Sequence, residues 1–145
     1  HVQEMVDSYR ARRNFIVSGF NRIGLQCHLP HGAFYVFPDI RKTGLSSDAF
    51  CELLLKEEKV ACVPGTAFGE AGEGFIRVSY AYSIDHIREA LARIEHFLKK
   101  FNLARRMPPG RSDPPRFFCA KKELKESSAL SSVLMVHAVI SAIAF

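Results

Sequence analysis

The sequence predicts an α/β fold: a two-layer sandwich in which helices cover a small, mostly antiparallel sheet. Three observations lead there. Apolar residues recur at helical spacing at both ends of the region 1–103 and again in its middle. Between these stripes lie three short apolar runs, each bounded by proline, glycine or polar residues and too short for a core helix. The last two runs are joined by a loop too short for a helical crossover, which favours antiparallel pairing. Elements of this kind must bury their apolar faces against one another, and layering helices on a sheet does so.

The first element reads as an amphipathic helix. Met5, Tyr9, Ile16, Phe20 and Ile23 fall near one face, Arg10, Arg12, Arg13 and Arg22 decorate the rest, and Gly24 follows where a helix C-terminus favours glycine. Pro30 and Gly32 precede a strand, Ala33 to Phe37, closed by Pro38. Ser46 or Ser47 caps a second helix whose Phe50, Leu53 and Leu54 turn inward. Val60 to Val63 is a second strand, stopped by Pro64-Gly65, and a glycine-rich loop runs from Gly69 to Gly74. The third strand spans Phe75 to Ala81. Ser83 then caps a last helix with Asp85 in its first turn, where the helix dipole favours negative charge. Its stripe is Ile87, Ala90, Leu91, Ile94, Phe97 or Leu98, and Phe101.

Charge is unevenly distributed. Residues 1–103 hold 13 Lys/Arg against 12 Asp/Glu, a net +1, whereas residues 104–145 hold 7 against 3, a net +4. The total of +5 therefore belongs mainly to the tail and is no nucleic-acid signature of the body. Pro108, Pro109, Pro114 and Pro115 break up a basic stretch, so 104–128 reads as an extended linker. The run 129–145 is weakly apolar, interrupted by Ser131, Ser132, His137 and Ser141, and sits at the lower limit for spanning a bilayer; a non-membrane extension is the preferred reading. Cys27, Cys51, Cys62 and Cys119 contain no Cys-x-x-Cys pair, which reads as reduced thiols in a cytoplasmic protein. The first residue is His1, and no apolar leader follows it, so the chain reads as a fragment or a processed product.

Arg77 is the residue of most chemical interest. Strand alternation places Phe75, Arg77 and Ser79 on one face, with Ile76, Val78 and Tyr80 on the other. A guanidinium in such a run needs a partner, because an unpaired buried charge is costly. Spacing alone leaves two readings. One is a salt bridge to a carboxylate of this domain, such as Asp39 or Glu70; the other is a ligand carboxylate gripped by the planar donor fork.

Three segments in order bear on that choice: Gly32 to Pro38, Val60 to Gly69, and Gly74 to Ala81. Together they closely resemble the C-terminal, small domain of class I/II aminotransferases, the fold-type I pyridoxal 5'-phosphate (PLP) enzymes of the aspartate aminotransferase superfamily. Tyr9 to Arg13 and Arg93-Ile94-Glu95 look like the family too, and the resemblance covers residues 1–103. It implies that Arg77, in the R-x-S-Y-A strand, makes a bidentate salt bridge to the substrate α-carboxylate. The wider implication is amino-group transfer between an L-amino acid and a 2-oxo acid through PLP, by a protein that is usually a homodimer. The family's cofactor-anchoring lysine and phosphate-binding residues lie on a large domain, and no segment here matches them. Lys42, Lys56, Lys59, Lys99 and Lys100 do not occupy that position. No catalytic or cofactor-holding residue is therefore expected in this chain; the alternative is a catalytically inactive product acting as an interaction or membrane-tethered module.

Other signals are weaker. Gly69-x-x-Gly72-x-Gly74 precedes a strand, whereas a phosphate loop must open a helix. Cys27, His28 and His31 lack a fourth ligand and regular spacing for a metal. His86 and His96 read as surface residues of the last helix, and Ser79 has no evident His/Asp partner.

Overall fold

The computed structural model describes residues 1–106, with side chains to 102. The remainder of the 104–128 linker and the whole of 129–145 lie outside the described residues. The elements follow as α1 (Val2–Arg22), β1 (Tyr35–Val36), α2 (Ser47–Glu58), β2 (Val63–Pro64), β3 (Ile76–Ser79) and α3 (Ile84–Arg106). Short 3-10 turns occupy Arg41–Thr43, Gly65–Phe68 and Glu70–Gly72. Among the described residues this is an α/β arrangement of three α-helices and one three-stranded antiparallel sheet, ordered β1-β3-β2. No helix among them is long and apolar enough to cross a membrane.

The helices follow their apolar stripes. In α3, Ile87, Leu91, Ile94, Phe97, Leu98 and Phe101 are all buried. Phe50, Leu53 and Leu54 of α2 are buried as well, and the Phe50 and Phe97 rings pack edge-on with centroids 5.4 Å apart. Each such side chain contributes about 1.5–3 kcal/mol by leaving water. The expected Ser46 cap is present: its Oγ accepts from the Ala49 N–H at 3.3 Å. Ser83 Oγ likewise accepts from the His86 N–H at 3.3 Å at the start of α3.

α1 departs from its pattern. Ile16, Val17 and Phe20 are buried, but Met5 is 55% exposed although it shares their stripe. Only the C-terminal half of α1 is pressed against α3. There Gly19 permits close approach, since a Cβ on it would lie 2.3 Å from Leu91 Cδ1. The Arg88 guanidinium also covers the Phe15 ring across this helix pair, 5.6 Å from its centroid.

The strands are shorter than the apolar runs that mark them. β1 pairs Tyr35 with Ser79 and Val36 with Val78. Ala33 has φ 73°, which is not extended backbone, and Pro38 has no N–H to continue a ladder. Pairing resumes past Pro38 as an isolated bridge, Asp39 to Phe75. β2 is displaced along the chain from Val60–Val63 to Val63–Pro64, with Val63 opposite Arg77 and Pro64 opposite Ile76. Pro64 thus belongs to the strand that it was expected to stop. An edge strand tolerates proline because one side of it faces away from the sheet.

The loop after β2 is fastened to the start of α2. Ser47, fully buried, donates through Oγ to the Gly72 carbonyl and accepts from the Gly74 N–H at 2.9 Å. Glu73 Oε1 accepts from the Ser47 N–H at 3.0 Å, and Thr66 Oγ1 donates to Asp48 Oδ2 at 3.1 Å. Gly65 and Gly72 cross so closely that a Cβ on either would stand 2.0 Å from the other's carbonyl oxygen. This contact fixes where Phe68, between them, sits relative to β3.

Candidate functional site

Arg77 occupies the centre of the sheet, on β3, with β2 on one side and β1 on the other. As alternation requires, Ile76 and Tyr80 are buried while Arg77 and Ser79 are only half-buried on the opposite face. That face is aromatic. The guanidinium carbon lies 5.3 Å from the Tyr35 ring centroid and 4.9 Å from that of Phe68. Tyr35 meets Phe34 and Phe37 edge-on at 5.4 and 5.7 Å, and Phe37 meets Phe68 edge-on at 5.7 Å. The rings thus form a connected wall that touches the arginine at two places.

The carboxylates that might have neutralised Arg77 are elsewhere. Asp39 is bound by Arg41, whose Nη2 stands 2.5 Å from Oδ2 and whose backbone N–H donates to Oδ1 at 2.8 Å. The hydrogen bond from the Arg41 side chain holds the Asp39 carboxyl below its ordinary value. Glu70 makes no ion pair with Arg77, and among the described residues no carboxylate does. Rings attract the cation but accept no conventional N–H···O bonds, so the donor fork remains unspent. Chemically, the site offers a positioned planar cation on an apolar wall, suited to one carboxylate.

The neighbouring polar groups have structural partners. Ser79 Oγ donates to the Phe34 carbonyl at 3.4 Å and accepts from the Ala81 N–H at 3.2 Å, which fastens the end of β3. Tyr80 hydrogen-bonds the Ala33 carbonyl at 2.6 Å, and its ring meets Tyr9 of α1 edge-on. Arg13 donates to the Pro30 carbonyl at 3.2 Å. Arg93 donates to the Glu58 carbonyl at 3.1 Å, at the C-terminus of α2. His96 pairs with Glu58 at 2.8 Å and His86 Nδ1 with Ser83 Oγ at 2.7 Å, both at the surface. The Cys27 thiol lies 3.7 Å from the His28 carbonyl, and among the described residues no three His, Cys, Asp or Glu side chains are grouped to hold a metal.

Residues 1–94 match the sequence profile of the family described as aminotransferase class I and II. The chain belongs to this aminotransferase family. YugH of Bacillus subtilis (strain 168), whose name goes no further than a provisional "aminotransferase", is 57% identical over 99 residues, covering 68% of this chain and 26% of the relative. Aromatic-amino-acid aminotransferase 2 of Thermococcus litoralis is 50% identical over 102 residues, covering 70% and 26%. The crystal structure of the aromatic aminotransferase from Pyrococcus horikoshii OT3 superposes with a TM-score of 0.68 at 50% identity, covering 70% of this chain and 27% of that one. This aminotransferase chain thus spans about a quarter of the length of the curated relatives it matches.

Members of this family generally use PLP, but the described residues do not fit that group. All five lysines among them are exposed. Lys99 pairs with Glu95 and Lys100 with Glu57, both at 2.7 Å, and Lys59 donates to the Lys56 carbonyl at 2.9 Å. A cofactor-anchoring lysine instead needs a sheltered site in which its amine can be tuned. Arg77 was given a role by sequence; Tyr35 and Phe68, whose rings lie against its guanidinium, were given none. Both lie in quoted motif segments, yet no local spacing shows that rings on either side of α2 meet at one arginine.

Proposed function

We propose that residues 1–103 form the small, C-terminal domain of an aminotransferase and that Arg77 is its clamp for the substrate α-carboxylate. One observation carries the reading: a half-buried arginine in mid-strand is held between aromatic rings with no carboxylate partner among the described residues. A ligand carboxylate is the partner that such a fork lacks, and it would receive two parallel N–H···O bonds. The rings fix the guanidinium plane beforehand and exclude water from one side, which strengthens a charge-assisted bond. The value of the contact is positioning: it turns the amino acid so that its Cα–H faces the reacting group.

The parent protein, on this reading, transfers an amino group between an L-amino acid and a 2-oxo acid. PLP supplies the electron sink for that transfer when the remainder of the protein binds it. Among the relatives are enzymes named for aromatic amino acids and for aspartate. The α-carboxylate is common to these substrates, so Arg77 addresses the shared part and not the side chain. The parent is taken as a cytoplasmic homodimer.

A graft provides the test. Residues 1–103 replace the matched segment of the Thermococcus litoralis enzyme, and transamination is followed with Arg77 intact and replaced. The proposal expects activity that collapses on Arg77→Ala while PLP stays bound. Loss of PLP in step with activity would instead mark Arg77 as part of the scaffold.

A further inference from the structure

Away from Arg77, the fold brings together two nucleophilic groups that the proposed function does not use. Cys51 lies on the inner face of α2 and is buried; Cys62 immediately precedes β2 and is half-buried. Their sulfurs stand 3.2 Å apart, close enough for the two thiols to share a hydrogen bond. Nothing in the spacing of the two cysteines announces the pair, since the turn after α2 alone brings them face to face. Lys59, at φ 57°, makes that turn.

We infer that Cys51 and Cys62 are a thiol pair that a low-molecular-weight disulfide oxidises to an intrachain disulfide. Geometry and access set the order of events. Cys62 is the sulfur that a small molecule reaches. Cys51 is shielded, and its hydrogen bond with Cys62, its burial and the nearby charge of Asp48 all push its thiol up, which disfavours the thiolate. The Cys62 thiolate attacks one sulfur of RSSR, forming a mixed disulfide and releasing RS⁻. Cys51 then gives its proton to a thiolate in solution, and its sulfur attacks Cys62 Sγ, expelling the second RS⁻. The balance is two protein thiols plus RSSR giving one protein disulfide plus two RSH: the protein loses two electrons and two protons, and the reagent gains them.

The new bond would tie α2 directly to the residue before Val63, the β3 partner of Arg77. It therefore fastens the edge strand of the sheet to a helix. The pair stands independently of the role assigned to Arg77.

The native full chain, treated with oxidised glutathione and then alkylated, unfolded and digested with trypsin without reductant, tests this. Cys51 and Cys62 fall in separate tryptic peptides, 43–56 and 60–77, so the bond appears as a linked pair. The expected result is that those peptides appear joined, about 2 Da lighter than their sum, with no retained glutathione on Cys62 and full reversal by dithiothreitol. Cys51→Ser should leave glutathione trapped on Cys62, and Cys62→Ser should leave Cys51 unmodified. A stable glutathione adduct on Cys62 beside a free Cys51 in the unaltered chain would overturn the inference. So would a Cys62 link to Cys119 or to a second chain, or both thiols surviving after Cys119 has been oxidised.

Discussion

Replacing Arg77 by alanine in the grafted enzyme removes both arms of the fork at once. Hydrogen bonds to charged groups contribute about 1.5–3 kcal/mol each, so two parallel bonds to one carboxylate amount to about 3–6 kcal/mol. At about 1.4 kcal/mol per tenfold, kcat/KM for an amino acid should fall by roughly 10²- to 10⁴-fold. Arg77→Lys keeps the charge but offers a point contact in place of a fork, and loses one good bond. Its expected loss is about 10- to 100-fold. Phe68→Leu leaves the fork intact and withdraws one ring face, worth about 0.5–1 kcal/mol, so only a few-fold decrease follows. The assay is steady-state transamination of L-aspartate and L-phenylalanine, with bound PLP quantified by its absorbance in every variant. A graded series of Ala, Lys and Phe68→Leu at constant PLP content is the signature of a carboxylate clamp. Equal losses for Ala and Lys, or an Ala variant within about threefold of the unaltered graft, would refute the reasoning about the fork.

Other consequences concern the scaffold and the free chain. Phe97→Ala opens a cavity beside Phe50 and should cost about 3–5 kcal/mol in urea unfolding. Gly72→Ala drives a Cβ into the Gly65 carbonyl, so a fall in thermal midpoint is expected together with altered chemical shifts at Phe68, whereas Gly32→Ala, in open space, should do neither. The Asp39 carboxyl is held below its ordinary 3.8 by Arg41. A depressed folded value contributes stability above the unfolded one and loses it as pH falls through the folded one. Arg41→Ala should therefore lower stability near neutrality and flatten the fall in stability below about pH 4, so that the two proteins converge in strong acid. Burial pushes the Cys27 thiol up to about 11, so alkylation at pH 8 should proceed far more slowly at Cys27 in the native chain than after unfolding. Treating the free chain with PLP and borohydride should give no stoichiometric adduct at any single lysine, checked by peptide mapping.

The helices were legible in the sequence because their signal is local and repetitive. Phe50, Leu53 and Leu54, and the series from Ile87 to Phe101, turn inward as their spacing requires. The strands were legible only as neighbourhoods. An apolar run records which residues are buried, whereas a ladder depends on where two backbones can exchange hydrogen bonds. Pro38 and Ala33 limit β1 for reasons of backbone geometry that hydrophobicity does not encode. Pro64 shows the converse, since a residue read as a stop belongs to an edge strand. At the site, Arg77 was visible as a charge in an apolar strand, but its surroundings were not. Asp39, one of the two carboxylates considered as its partner, is occupied by Arg41 two residues along. Met5 shares the continuous stripe of α1 but stays exposed, because α3 covers only the C-terminal half of that helix.

The most direct measurement is a crystal structure of the grafted enzyme with a substrate-like 2-oxo acid bound. The account predicts that two guanidinium nitrogens of Arg77 each donate to one oxygen of the α-carboxylate at about 2.7–2.9 Å, with Tyr35 and Phe68 still flanking the guanidinium. An α-carboxylate bound elsewhere, with Arg77 paired to a carboxylate of the protein itself, would contradict it.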